Sequence, residues 1–144
     1  MQARVTLHLL ARLEERQAAE NQLRALCRLR GQPPPICDEL VSAFNEAFNN
    51  VVLHAYAGKG DGRVEVLLQL DDDRVVIELT DRGQSFDLGA VPPPPQPEER
   101  LAEGGYGLHI IRSLMSEVSY VRDGERNVLR MVRELQPGKG APAI

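Results

Sequence analysis

The chain has 144 residues, 42% of them hydrophobic, which suits one ordinary domain with a buried core. A formal net charge of -4 argues against a nucleic-acid binder working through a basic surface. No stretch approaches the roughly 20 apolar residues of a membrane span. Met1-Gln2-Ala3-Arg4 leads into an alternating strand rather than an apolar leader, and Cys27 and Cys37 have no metal-ligand spacing around them. A cytoplasmic protein with reduced, half-buried thiols, touching neither membrane nor nucleic acid, is expected.

Taken in chain order, Val5, Leu7 and Leu9 alternate with Thr6 and His8 and predict a half-buried strand. Leu10, Leu13, Leu23, Leu26 and Cys27 then fall at roughly helical spacings up to Gly31, and Pro33-Pro34-Pro35 breaks that helix. In a second helix Ile36, Leu40, Phe44, Ala47, Phe48, Val51 and Ala55 form one apolar face, with Glu39, Ser42, Glu46, Asn49 and Asn50 largely off it. Asp61-Gly62 is a turn signal. Val64, Val66, Leu68 and Leu70 predict one strand, Asp71-Asp72-Asp73 a reversal, and Val75, Ile77 and Leu79 the next strand, ending at Thr80-Asp81. Residues 88–103 carry Pro92-Pro93-Pro94-Pro95, Pro97 and Glu98-Glu99-Arg100, a loop of unusual length for a small domain: a lid or an insertion. Leu108, Ile111, Leu114 and Met115 predict a helix. Residues 118–121 and 128–135 predict two strands around Asp123-Gly124, and the Pro- and Gly-rich residues 136–144 predict a frayed tail. The order is strand, helix, helix, strand, strand, loop, helix, strand, strand. Antiparallel hairpins with helices gathered on one face make an α/β (α+β) two-layer sandwich, one domain over residues 1–135.

Three polar clusters stand out. Glu46 and Asn50, four apart, project from the same side of a helix. An Asn carbonyl oxygen suits a magnesium ion whose other positions are filled by phosphate and water, and a carboxylate one turn earlier suits a proton acceptor. Read alone, the cluster is better taken as a solvated helix face with Glu46 merely helix-favouring, although Asn49-Asn50 mid-helix costs stability and asks for a reason. Asp81, before Arg82-Gly83, only accepts hydrogen bonds when ionised, so it would take one from an adenine amino group and repel a guanine carbonyl. Gly83 would let the backbone lie close to the ring. A plain Asp-x-Gly turn is the other reading. Gly104-Gly105-Tyr106-Gly107 precedes a strongly periodic helix whose start offers unpaired N–H groups to phosphate.

His8 reads as a strand residue, His54 as a helix-end residue and His109 as an outer position of the last helix. None lies in a two-helix hairpin that would make it a phosphoacceptor. Arg12, Arg16, Arg24, Arg28 and Arg30 give the first helix a basic side, either solvated or a dock for an acidic partner.

The segment Asn45-Glu46-Ala47-Phe48-Asn49-Asn50-Val51-Val52-Leu53-His54-Ala55-Tyr56 resembles the N box of GHKL (Bergerat-fold) ATP-binding domains. Asp81-Arg82-Gly83-Gln84-Ser85-Phe86-Asp87 resembles the first glycine box and Gly104-Gly105-Tyr106-Gly107-Leu108-His109-Ile110-Ile111 the second. The small size, the His-Ala-Tyr ending and the Asp-x-Gly-x-Ser-Phe-Asp variant resemble the bacterial anti-sigma factor serine/threonine kinases of partner-switching systems. The resemblance implies a mixed, largely antiparallel sheet, with ATP/ADP and Mg2+ as cofactors. Glu46 would be the base on a serine of a STAS-domain anti-anti-sigma factor, and Asn50 the magnesium ligand. Asp81 and Gly83 would bind adenine, and Gly104, Gly105 and Gly107 would cradle phosphates under the lid. Tyr106, Leu108 and Asn127 complete the implied nucleotide-binding set. A sigma factor or analogous regulator as partner, and a homodimer, are implied with it. The chain departs from the family at Asn49, where a Thr is frequent, and at Ser85, where larger relatives place Gly. It departs again at Gly124-Glu125-Arg126-Asn127, where Asn127 takes the place of a nucleotide-touching Thr, and in its short, proline-rich lid. Two other functions compete with the kinase: a non-catalytic nucleotide-binding module that sequesters a regulator, and a detached catalytic domain of a sensor histidine kinase.

Overall fold

The computed structural model describes residues 2–85 and 107–135. The expected lid at 88–103, Gly104, Gly105, Tyr106 and the tail at 136–144 lie outside the described residues.

The elements follow the expected order. They are β1 (Ala3–Leu10), a 3-10 turn (Leu13–Glu15), α1 (Arg16–Leu29), α2 (Pro34–Asn50), a π-helical turn (Val51–Ala55), β2 (Arg63–Leu70), β3 (Arg74–Asp81), α3 (Gly107–Leu114), β4 (Glu117–Asp123) and β5 (Arg126–Glu134). The strands form one five-stranded sheet in the order β1-β2-β3-β5-β4. Every neighbouring pair is antiparallel, so the described sheet is antiparallel throughout rather than mixed.

Alternation in the strands sets what faces the helices. Val64, Val66, Leu68 and Leu70 of β2 point inward, as do Val75, Ile77 and Leu79 of β3 and Leu129 and Met131 of β5. They meet Leu23 of α1, Leu40, Phe44 and Phe48 of α2 and Ile111 of α3 in one core. Phe44 and Phe48, one helical turn apart, are fully buried with ring centroids 5.6 Å apart. Truncating either to Ala would cost about 3–5 kcal/mol. The inward parity runs on past the apolar residues: Asp81 ends β3 on the core side, and Asn127 opposite it in register starts β5 on the same side. The pattern that builds the core therefore also delivers a carboxylate to its rim.

Several sequence expectations change in detail. Leu10 is the last residue of β1, Leu13 is 42% exposed in the 3-10 turn, and α1 begins only at Arg16. The helical spacing of Leu10 and Leu13 to the later leucines is a coincidence of a strand end and a turn. The proline run starts α2 as well as ending α1: Pro34 and Pro35 occupy its first turn, where the missing N–H groups need no partner, and Gly31 takes the left-handed conformation (φ 68°) just past α1. Cys27 and Cys37 are free and buried rather than half-buried, and burial together with the neighbouring Cys37 thiol pushes the Cys27 pKa up to about 12. The basic side of α1 is largely spoken for. Arg12 donates to the Gly60 carbonyl (2.7 Å), Arg16 to Asn49, Arg24 to Asp38 (2.9 Å), and Arg30 pairs with Asp72. These arginines staple α1 to its surroundings, which favours the structural account over an open acidic-partner dock. No described helix is long and apolar enough to cross a membrane.

Candidate nucleotide site

The site is strung along one helix. α2 ends at Asn50 and continues without a break into the π-helical turn, and this widened turn is what the periodicity of the sequence hid. Tyr56 N–H bonds to the Val51 carbonyl (3.3 Å) and Gly58 N–H to the Val52 carbonyl (2.8 Å), with Ala57 and Gly58 at positive φ closing the end. The turn leaves the Ala55 carbonyl free of the helix ladder, and it accepts from Gln84 N–H (2.8 Å) instead. Gly83 lies flat against this end. A Cβ there would fall 2.3 Å from the Ala55 oxygen, so only glycine permits the approach. Tyr56 completes the joint, accepting from Arg82 N–H (2.9 Å) and donating to the Arg63 carbonyl (2.8 Å). The Asp-x-Gly segment is thus bolted to the helix that carries Glu46 and Asn50. Asn50 precedes Ala55 by five residues, about 6–8 Å along the axis, a span suited to the distance between a base and its phosphates.

At the far end, Gly107 opens α3 against the polar side of α2. A Cβ on it would lie 2.9 Å from Glu46 Oε2 and 3.6 Å from Asn50 Nδ2. Glu46, Asn50 and the start of α3 therefore meet at one place, as the spacing predicts for two of them. Burial raises the Glu46 pKa above its ordinary value, and the Arg16 guanidinium opposes that rise. A carboxylate adjusted this way is a better proton acceptor than an exposed one. Leu108, the next residue, buries its side chain in the core. Only its main chain is available to a ligand, as one of the N–H groups that lack a partner in the first turn.

At the near end Asp81 is 2% exposed. Its Oδ1 accepts from Gly83 N–H (2.9 Å) and from Asn127 Nδ2 (2.8 Å). Burial pushes its carboxyl above the usual range, while Asn127, Gly83 and the charge of Arg122 pull the other way without cancelling it. Asn127 is fully buried and fully engaged. Its Nδ2 also donates to the Gly83 carbonyl (3.0 Å), and its Oδ1 accepts from Arg122 Nη1 (3.0 Å), which reaches the Gly83 carbonyl as well (3.1 Å). Its side chain stands behind Asp81 and orients it, rather than facing a ligand in place of a hydroxyl.

Arg122 and the Ala55 carbonyl escaped the sequence reading, and Tyr56 was read as part of the N box without a role of its own. Arg122 had a usable signal, because the Asp123-Gly124 turn sets the β4–β5 register that opposes it to Asn127. The π-helical turn had none. His8 is exposed 3.9 Å from Glu65, and His54 is exposed on the π-helical turn. His109 differs from its expected outer position, being half-buried with its Nε2 wholly buried.

Comparison with known proteins agrees with this geometry. The profile of the histidine kinase-like ATPase domain matches residues 9–133. The chain belongs to that family. Among curated relatives, the serine-protein kinase RsbW of Listeria innocua is 29% identical along 100% of this chain and 97% of its own length. The RsbW proteins of Oceanobacillus iheyensis (37% identical) and Bacillus pumilus (39%) match over 56% of this chain and 55% of theirs. The resemblance to anti-sigma serine kinases is thereby borne out. Among solved structures, the RsbU and RsbW domains of a Mycobacterium tuberculosis protein share the fold at TM-score 0.66 and 21% identity, over 92% of this chain and 32% of that one. The SiaB–SiaC complex of Pseudomonas aeruginosa does so at 0.62 and 15%, over 91% and 89%.

Proposed function

We propose that this chain is an ATP-dependent serine-protein kinase and anti-sigma factor of a bacterial partner-switching system, phosphorylating a STAS-domain anti-anti-sigma factor on serine. The observation that carries the reading is the half-buried Glu46 carboxylate set against the start of α3, one turn from Asn50. The serine hydroxyl gives its proton to Glu46 as its oxygen attacks the terminal phosphorus, and ADP leaves. Asp81, held by Asn127 and Gly83, accepts from the adenine amino group. The main chain at Gly107 and Leu108, with Gly104, Gly105 and Tyr106, receives the phosphates.

The residues suit a magnesium–nucleotide complex: an amide-bearing Asn50 and a position where any Cβ would intrude adjoin each other. Asn50 would hold the ion, which supplies charge neutralisation on the phosphates. A sigma factor or analogous regulator as sequestered partner, a homodimer and a cytoplasmic setting belong to the same reading. The relatives named serine-protein kinase support it at the level of activity.

The test incubates the purified chain and its Glu46→Gln variant with labelled ATP and the STAS protein encoded alongside it. Label should appear on a STAS serine, and the variant should bind Mg·ATP normally while transfer falls by about 10²- to 10⁴-fold. Nucleotide binding without transfer by the unaltered chain would leave the non-catalytic module as the correct reading.

A further inference from the structure

The inward row of β5 has a polar residue at each end. Asn127 opens it behind Asp81, Leu129 and Met131 fill the core, and Arg133 closes it. Arg133 is half-buried and bridges two helices. Its Nη1 donates to Glu39 Oε2 on α2 (2.6 Å) and to the Leu114 carbonyl at the end of α3 (2.8 Å). A helix leaves its last carbonyls unpaired and carries a partial negative charge there, so a guanidinium suits this end of α3 on both counts. The neighbouring backbone of β5 holds the same junction. Ser116 N–H donates to the Val132 carbonyl (2.7 Å), and Ser116 Oγ accepts from Glu134 N–H (2.8 Å). The spacing on the two helices matches. Glu39 and Glu46 are seven residues apart on α2, and Gly107 and Leu114 are seven apart on α3. Glu39 is tied to the end of α3 and Glu46 faces its start, so the helices run antiparallel with two rungs about 10 Å apart. One rung is the Arg133 bridge. The other is the close approach of Gly107 to Glu46 and Asn50.

Resting on the nucleotide-site reading above, we propose that Arg133 is a positioning residue for the phosphates: by tying the end of α3 to Glu39 of α2, it sets the start of α3 against Glu46 and Asn50. It touches no part of the nucleotide. A short helix whose Leu108 and Ile111 are packed in the core moves as one body, so fixing its last carbonyl fixes where its first N–H groups point. Adenine is received elsewhere, at Asp81 and Gly83, which Asn127, Tyr56 and the Ala55 carbonyl hold. Loosening the Arg133 bridge therefore acts on affinity for the phosphates and leaves affinity for the base alone.

The experiment compares the full chain with Arg133→Gln and Glu39→Gln variants in two measurements. The first is binding of Mg·ATP by calorimetry and of adenosine, which has no phosphate, by NMR titration. Arg133→Gln should weaken Mg·ATP by about tenfold, the worth of one misplaced hydrogen bond to a charged group, and adenosine by less than about twofold. Glu39→Gln leaves Arg133 its bond to Leu114, so it should weaken Mg·ATP by about threefold and leave adenosine unchanged. It decides the matter if Arg133→Gln does not fold. The second measurement is the backbone amide spectrum of nucleotide-free protein, which needs no ligand. In either variant the amides of Gly107 and Leu108, at the far end of α3 from the substitution, should shift, while those of Asp81 and Gly83 stay in place. Equal losses for Mg·ATP and adenosine in a folded variant, as a general loosening of the fold would give, or unmoved Gly107 and Leu108 amides, overturn the assignment. Failure of the unaltered chain to bind Mg·ATP would instead refute the nucleotide-site reading, while the amide shifts would still decide whether Arg133 sets the start of α3.

Discussion

Glu46 and Asp81 are kept at the rim of the core at a cost to stability. Each has its pKa raised by burial, so the folded chain holds a proton over pH values at which the unfolded chain has released it. Stability contributed this way is lost as pH rises from the ordinary carboxylate value through the raised one, and is constant above it. Replacing Glu46 by Gln removes the ionised form. The variant should melt higher than the unaltered chain at pH 7, and the gain should vanish as the pH falls toward about 4; thermal melts across that range check it. Asp81 has Asn127, Gly83 and Arg122 opposing its burial, and Glu46 has Arg16. Two glycines should respond in opposite ways. At Gly83 an added Cβ meets backbone at 2.3 Å, which cannot yield, and Gly83→Ala should cost about 2 kcal/mol together with nucleotide binding. At Gly107 the same atom meets the far end of a flexible side chain at 2.9 Å. Gly107→Ala should change stability by less than about 1 kcal/mol yet displace Glu46 and depress transfer. Denaturant melts with nucleotide titrations separate the two.

Among the elements, α2 and its π-helical extension do most to assemble the site. One continuous helix carries Glu46, Asn50 and the Ala55 carbonyl that anchors Gln84, so their spacing is set by helix geometry rather than by loops. Tyr56 seals this element to the Asp-x-Gly segment through one hydroxyl serving Arg82 and Arg63. Tyr56→Phe keeps the ring against Gly62 but removes both hydrogen bonds. It should lower stability by about 1 kcal/mol and weaken Mg·ADP binding severalfold, read by melts and calorimetry. The element also marks the limit of what periodicity reveals. The apolar face from Ile36 to Ala55 is real, and Val51 and Ala55 are buried as the spacing predicts. A one-residue widening of the turn leaves that pattern intact while redirecting a carbonyl, so nothing in the hydrophobic spacing discloses it. The alternation of β2, β3 and β5 was legible because strand parity and burial are the same fact. It further implied that Asp81 and Asn127 lie on the core side, although not that Asn127 would spend its whole amide behind the carboxylate.

At the scale of the molecule, the antiparallel sheet and the three α-helices of the described residues bring groups from α2, β3, β5 and α3 to one edge of the core. Asp81 and Asn127 are 46 residues apart in sequence and share a hydrogen bond of 2.8 Å, and Glu46 and Gly107 close the opposite end. Short motifs foretold these positions because each needs a residue type with few substitutes: a carboxylate, an amide, a glycine with no room for Cβ. Arg16 was hidden for the converse reason, since an exposed-looking arginine in a basic helix carries no local sign of Asn49, its partner 33 residues away. On the reading proposed above, these groups form one magnesium–nucleotide site that selects adenine. Calorimetric titration of the full chain with Mg·ATP and Mg·GTP tests it most directly. One equivalent of Mg·ATP should bind, Mg·GTP should bind at least about tenfold more weakly, and Asp81→Asn should erase the difference. No heat with Mg·ATP, or equal affinity for both nucleotides in the unaltered chain, would contradict it.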